Sequence, residues 1–150
     1  MAAVLHFCTF YVDKLWFGLK VESVQEVVSA PKITPVPLAP SAVAGLVNLR
    51  GQIVPLINLR QRLQFGQAAV TPSAMIVVRN QDSLMGLLVG EIGEVVEAPE
   101  SGIETGLQPI ELRGLVPVLY QLPGRLLHVL DLEQILRPGG KEVQSDNALK

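Results

Sequence analysis

Cysteine occurs once in the 150 residues, at position 8, so the chain carries no internal disulfide and no cysteine metal cluster. Aromatic residues make up only 5%, so valine, leucine and isoleucine must fill the core. Charge is sparse at 17%, and the net charge of -2 leaves no basic excess. That argues against nucleic acid as the main ligand, because neutralising phosphates needs a basic face. No apolar run approaches the roughly 18 residues of a membrane span. The first residues, MAAVLHFCTFYVDK, lack the basic flank and cleavage pattern of a signal peptide, so a cytoplasmic protein is expected. The motifs of common catalysis are also missing: there is no G-x-G-x-x-G, no P-loop and no G-x-S-x-G.

The remaining candidates for chemistry are thin. His6 and His128 are far apart in sequence and sit inside strand candidates, where packed or surface histidines are the ordinary case. Cys8 lies in an apolar strand and reads as packing. Glu91, Glu94 and Glu97 recur every three residues in a stretch of turn and strand, which suits a solvated edge better than an acid/base pair. The expectation is therefore no catalytic residues, no cofactor and no metal.

What the sequence has in quantity is apolar surface. Hydrophobic residues make up 49% and the mean hydropathy is +0.38. Either the core is large for the length, or apolar surface stays exposed for a partner. The length suits one domain.

The chain is organised around Gly45 to Leu63, GLVNLRGQIVPLINLRQRL. This stretch predicts a strand, a tight turn at Gly51-Gln52, a second strand from Ile53 to Ile57 and a short helix. Asn58, with Gln61 three residues on, resembles a capping box. Pro55 favours an edge position or a bulge. Upstream, Leu5 to Val12 and Leu15 to Leu19 read as a hairpin. Val21 to Ser29 is ambiguous and is read as a helical turn at Glu22 to Gln25, then a strand from Glu26. Pro31, Pro35, Pro37 and Pro40 force an extended surface loop, after which Ser41 can cap a single turn. Downstream, strands are expected over 75–78, 84–89, 114–120 and 126–130, with loops over 65–72 and 100–109. Asp131 and Gln134 repeat the capping box.

The two halves resemble each other. Phe17 to Pro31 (FGLKVESVQEVVSAP) and Met85 to Pro99 (MGLLVGEIGEVVEAP) are identical at 8 of 15 positions, at a constant offset of 68. Gly51 to Leu63 is matched by Gly124 to Leu136. The pattern implies an all-β fold of two similar small barrels, each of about five short strands, sharing one hydrophobic core. One domain over 1–140 is expected, with subdomains at about 15–70 and 75–125, terminal segments completing the barrels, and a flexible tail at 141–150.

The binding candidates cluster near the centre. Arg50 follows apolar residues and precedes a turn glycine, which fits either a solvent-facing hairpin charge or an anchor on a protein-binding surface. Val24, Glu26 and Val27 fit either strand packing or an apolar patch with one carboxylate. The ordered set V-Q-E-V-V, I-T-P-V-P and G-L-V-N-L-R-G-Q-I-V-P-L-I-N-L-R closely resembles the CheW-like chemotaxis coupling proteins, from about Leu5 to Leu136.

The resemblance implies two SH3-like five-stranded barrels and a non-catalytic adaptor in a chemosensory array. Its partners would be the cytoplasmic tip of a chemoreceptor, the regulatory domain of the histidine kinase CheA, and other CheW-like domains in rings. It would work in the cytoplasm, at the inner face of the membrane through receptor arrays, without inserting in the membrane. Carried over, Val24, Glu26, Gly45, Asn48 and Arg50 lie at or near a receptor-facing groove, with Val27 in the same patch. Met75, Ile76 and Val77 contribute its apolar wall. The variant second half, LRGLVPVLYQLPGRLLHVLDL, leaves open an array controlling type IV pilus motility or another non-flagellar output. A small-ligand-binding β-barrel, or an enzyme using an unlisted site, is the rival from another class.

Overall fold

A computed structural model of the chain describes residues 4–29, 31–38, 42–63, 65, 74–99, 103–104 and 114–137. Ser41, the loop over 66–72, most of the loop over 100–109 and the tail at 141–150 lie outside the described residues, while the single turn expected to end at Gly45 is replaced by a strand that begins at Val43.

Among the described residues, short apolar runs punctuated by Gly, Pro, Asn and Asp fold into eleven strands. They are β1 (Val4–Val12), β2 (Leu15–Lys20), β3 (Val24–Ser29), β4 (Val43–Leu49), β5 (Gln52–Asn58), β6 (Ala74–Asn80), β7 (Ser83–Val89), β8 (Ile92–Pro99), β9 (Ile103–Glu104), β10 (Val118–Leu122) and β11 (Arg125–Val129). Two single-turn helices, α1 (Leu59–Arg62) and α2 (Leu132–Ile135), follow β5 and β11. Each opens on the expected side-chain cap: Asn58 Oδ1 accepts from the Gln61 N–H and Asp131 Oδ1 from the Gln134 N–H, both at 3.3 Å.

The strands form two curled sheets, in the orders β3-β6-β7-β5-β4 and β8-β1-β2-β11-β10-β9. The second sheet has a sixth strand, the two-residue β9, inside the stretch expected to be loop. The repeat explains the shared order. Shifting β1, β2 and β3 by 68 residues gives β6, β7 and β8, so the first sheet's order maps onto the second's. The registers map as well: Val27 faces Ile76 and Val95 faces Cys8, and each strand pair contains a bulge close by. The parallel pairs Leu56–Gly86 and Val129–Gly18 are likewise equivalent.

Each repeat divides its strands between the sheets. Leu15–Lys20 belongs to the six-stranded sheet and Ala74–Val89 to the five-stranded one, so the sheets do not follow the expected limits of 15–70 and 75–125. The chain crosses between sheets at a 3-10 turn, Val21–Ser23, and at the equivalent Gly90-Glu91. This turn sits one residue earlier than the expected helical turn, and β3 starts at Val24 rather than Glu26.

The exchange leaves three apolar clusters. Phe10, Phe17, Ile57, Leu59, Ile76 and Leu87 belong to the core shared by both sheets. Val54, Leu56, Met75 and Val77 fill the five-stranded sheet's interior with aliphatic groups. Phe7, Trp16 and Tyr120 fill the other sheet with aromatic groups, packed with Leu127.

Pro55 is not at an edge: β5 lies between β7 and β4. Leu46, its partner in β4, uses its N–H and C=O on Thr34, both at 2.8 Å. The Leu46–Pro55 pair is therefore a non-hydrogen-bonded one, and the proline nitrogen faces β7, where pairing begins only at Leu56.

Arg62 ties the two halves together. It is buried, and its Nε and Nη2 donate to the carbonyls of Ile135 (3.2 Å) and Gln134 (2.8 Å), which end α2. Charged hydrogen bonds of this kind contribute about 2–3 kcal/mol when their loss strands buried acceptors. Arg62→Ala is expected to lower the unfolding midpoint by about 5–10 °C in a thermal melt.

Candidate partner-binding site

The β4–β5 hairpin turns at Arg50-Gly51, one residue before the position expected from sequence, because Leu49 pairs with Gln52. Both central residues have positive φ, 51° and 88°, as a type I′ turn requires. Asparagine or aspartate is the usual first residue there; arginine in the left-handed region is uncommon. Asn48 supports the turn by accepting the Gly51 N–H on Oδ1 at 2.8 Å.

The strained arginine reaches across the sheet. Its guanidinium meets both carboxylate oxygens of Glu26, with Nη1 3.1 Å from Oε2 and Nη2 on Oε1. Glu26 is in β3, one edge strand of the sheet, and Arg50 follows β4, the other edge. The pair therefore spans the two edges of the curl. The Arg50 side chain stays 68% exposed and that of Glu26 28%, so the pair faces solvent with the arginine outermost.

The hydrogen bonds from Arg50 hold the Glu26 carboxyl below the usual carboxylate range, and Glu26 in turn raises the guanidinium's pKa. For a depressed carboxylate, stability is present above the unfolded value and lost as pH falls through the folded one. The pair is thus expected to persist from neutral pH through the range where an ordinary glutamate takes up its proton, and to break only at more acid pH. Titration of the Glu26 carboxyl followed by NMR checks this: the expected midpoint lies below that of an unpaired glutamate, and Arg50→Ala should move it up.

The other expected residues divide by role. Val27 is exposed at 42% beside Glu26, while Val24 packs against the shared core. Gly45 is buried beneath the proline-rich segment. Its φ is 148°, and a Cβ there would lie 2.3 Å from the Thr34 carbonyl oxygen, so glycine lets the proline-rich segment cross close over β4. Met75, Ile76 and Val77 are fully buried in β6, opposite Val28, Val27 and Glu26. They form no surface wall; they hold β3 from behind.

The two histidines and the cysteine lie within the sheets. His128 is buried, with Nδ1 2.9 Å from the Trp16 carbonyl and its ring against Phe17. His6 Nε2 lies 3.1 Å from Glu97 Oε2 at the surface. Burial pushes the Cys8 thiol up, away from reactive thiolate. Among the described residues no group of three or more His, Cys, Asp or Glu could hold a metal ion.

Sequence reading missed Ile53, exposed at 56% in β5, and a second charged cluster. Arg125 lies 3.5 Å from the centre of the Trp16 ring, donates to the Tyr11 hydroxyl and pairs with Glu94 at 3.6 Å. The 68-residue offset could have found its acidic half, since it carries Glu26 onto Glu94 and Val27 onto Val95, which is exposed at 60%.

The family model for the CheW-like domain matches residues 6–138. The chain belongs to the CheW-like family. Members of this family are non-catalytic scaffold adaptors. The chain is 28% identical over 128 residues to the chemotaxis protein CheW of Thermotoga maritima, covering 85% of each protein. It is 27% identical over 107 residues to that of Treponema pallidum, covering 68% of this chain and 63% of the relative. The crystal structure of the scaffolding protein TtCheW from Thermoanaerobacter tengcongensis superposes with a TM-score of 0.78 at 26% identity, covering 87% of this chain and 90% of that one. No helix among the described residues of this CheW-like chain is long and apolar enough to cross a membrane.

Proposed function

We propose that this CheW-like chain couples the cytoplasmic tip of a chemoreceptor to the regulatory domain of the histidine kinase CheA. It works in the cytoplasm, held at the membrane's inner face by the receptor array, as one unit over residues 1–140. The observation that carries this reading is the Arg50–Glu26 fork, an outward-facing arginine kept at a strained turn. Strain of this kind persists at functional sites, and arginine is favoured as an interface anchor. The receptor docks on this edge, with Arg50 as its polar anchor and Val27 as apolar contact. Receptor rearrangement changes those contacts and biases the kinase through a coupling free energy of about 1–3 kcal/mol.

The test is calorimetric titration with the kinase regulatory domain and, separately, with a receptor-tip fragment. Binding to both at about micromolar strength is expected. Binding to neither by a well-folded sample would end the adaptor reading.

A further inference from the structure

A second anomaly lies at the other end of the same hairpin. Leu38 has φ +64°, a left-handed conformation that bulky side chains avoid. Preceded by Pro37, it occupies the place where a type II turn normally carries glycine or asparagine. Its side chain is fully exposed, at 103% of the reference area, and the neighbouring Val36 is exposed at 38%. Neither local backbone preference nor burial in this chain accounts for leucine at this position.

The segment that leads to Leu38 is tied to β4 at Thr34. Thr34 exchanges two backbone hydrogen bonds with Leu46, and Gly45 makes room for that approach. Running antiparallel to β4 from Thr34, the chain carries Leu38 away from the hairpin tip. Leu38 and Arg50 are then separated by about the length of β4, on the order of 20 Å. No residue from Ile33 to Leu49 is charged, so the loop can be desolvated against an apolar partner without burying an ion.

We infer that Leu38 is the apolar anchor for the second of the adaptor's two partners, inserting into an uncharged pocket on the kinase regulatory domain. This rests on the adaptor reading. A bridge must hold both partners at once, so its anchors must not overlap. Arg50 is assigned to the receptor, and Leu38 is the fully exposed apolar group at the opposite end of the hairpin.

The test uses the full chain and Leu38→Asn, with Leu38→Gly as a second variant, titrated against the kinase regulatory domain and the receptor-tip fragment. Both substitutions suit positive φ, so the unfolding midpoint should hold or rise by about 2–4 °C. The kinase-domain Kd should weaken about tenfold or more, and the receptor-tip Kd should stay within about twofold. Kinase binding unchanged in both variants overturns the assignment while leaving the adaptor reading intact. So does a loss that falls on the receptor instead. Self-association of the wild type that Leu38→Asn abolishes, with kinase binding untouched, would assign the loop to a second copy and also overturn it. A wild-type chain that binds neither partner defeats the adaptor reading itself, and the assignment with it.

Discussion

Arg50→Glu is expected to weaken binding of a receptor-tip fragment by about 30-fold or more while leaving the fold in place. Glutamate would put a second carboxylate beside Glu26 where the fork now stands, and the outermost cation would be gone. The backbone cost barely changes, because arginine and glutamate are equally ill suited to φ 51°. Exposed ion pairs contribute little to stability, so the unfolding midpoint should move by less than about 3 °C. The charge-swapped double variant, Glu26→Arg with Arg50→Glu, separates two roles. If the pair only closes the sheet edge, the swap restores binding. If Arg50 anchors the receptor, the swap restores the midpoint and not the affinity. A single variant that binds with wild-type Kd would remove Arg50 from the site.

Gly45→Ala is expected to have the largest effect on stability, about 3 kcal/mol or more, read as a fall of about 6–12 °C in the unfolding midpoint. Two costs act together. A φ of 148° is strained for any L side chain, and the new Cβ would sit 2.3 Å from a backbone oxygen that cannot rotate away. Relief requires the Ile33–Leu38 segment to lift, breaking the two Thr34–Leu46 hydrogen bonds. Kinase binding should fall as well, since Leu38 would lose its fixed position. By contrast, Gly51→Ala meets no atom within 4 Å and should cost only the strain of its positive φ.

Much of this molecule could be read before it was folded. The alternation of apolar residues located most strands, and the two Asx-x-x-Gln signals located both helices, because those features depend on local geometry alone. The repeat showed which segments are equivalent. It could not show which sheet each one joins: β2 and β3 adjoin in sequence, yet they part at Val21–Ser23 because pairing across the shared core decides the sheet. Pro55 misled for a related reason. Its exclusion from a central strand holds only where the neighbours need its missing N–H, and Thr34 has already taken up Leu46. At the site, Arg50 and Glu26 were legible as an outlying charge and a lone carboxylate among valines. The burial of Met75 and Ile76 was not, because alternation does not distinguish an edge strand from β6, which lies between β3 and β7. The exposure of Leu38 and Ile53 was hidden too, since hydrophobicity alone places a side chain inside.

The central claim is that two partners are held at once. It is tested most directly by titrating the receptor-tip fragment into this protein already saturated with the kinase regulatory domain, with heat measured at each addition. The expected result is one-to-one binding of the receptor tip at an affinity within about 150-fold of that for the free adaptor, the span of an ordinary coupling energy. Release of the kinase domain in step with receptor binding, or no receptor binding at all, would mean that the partners compete for one surface, and that the protein does not bridge them.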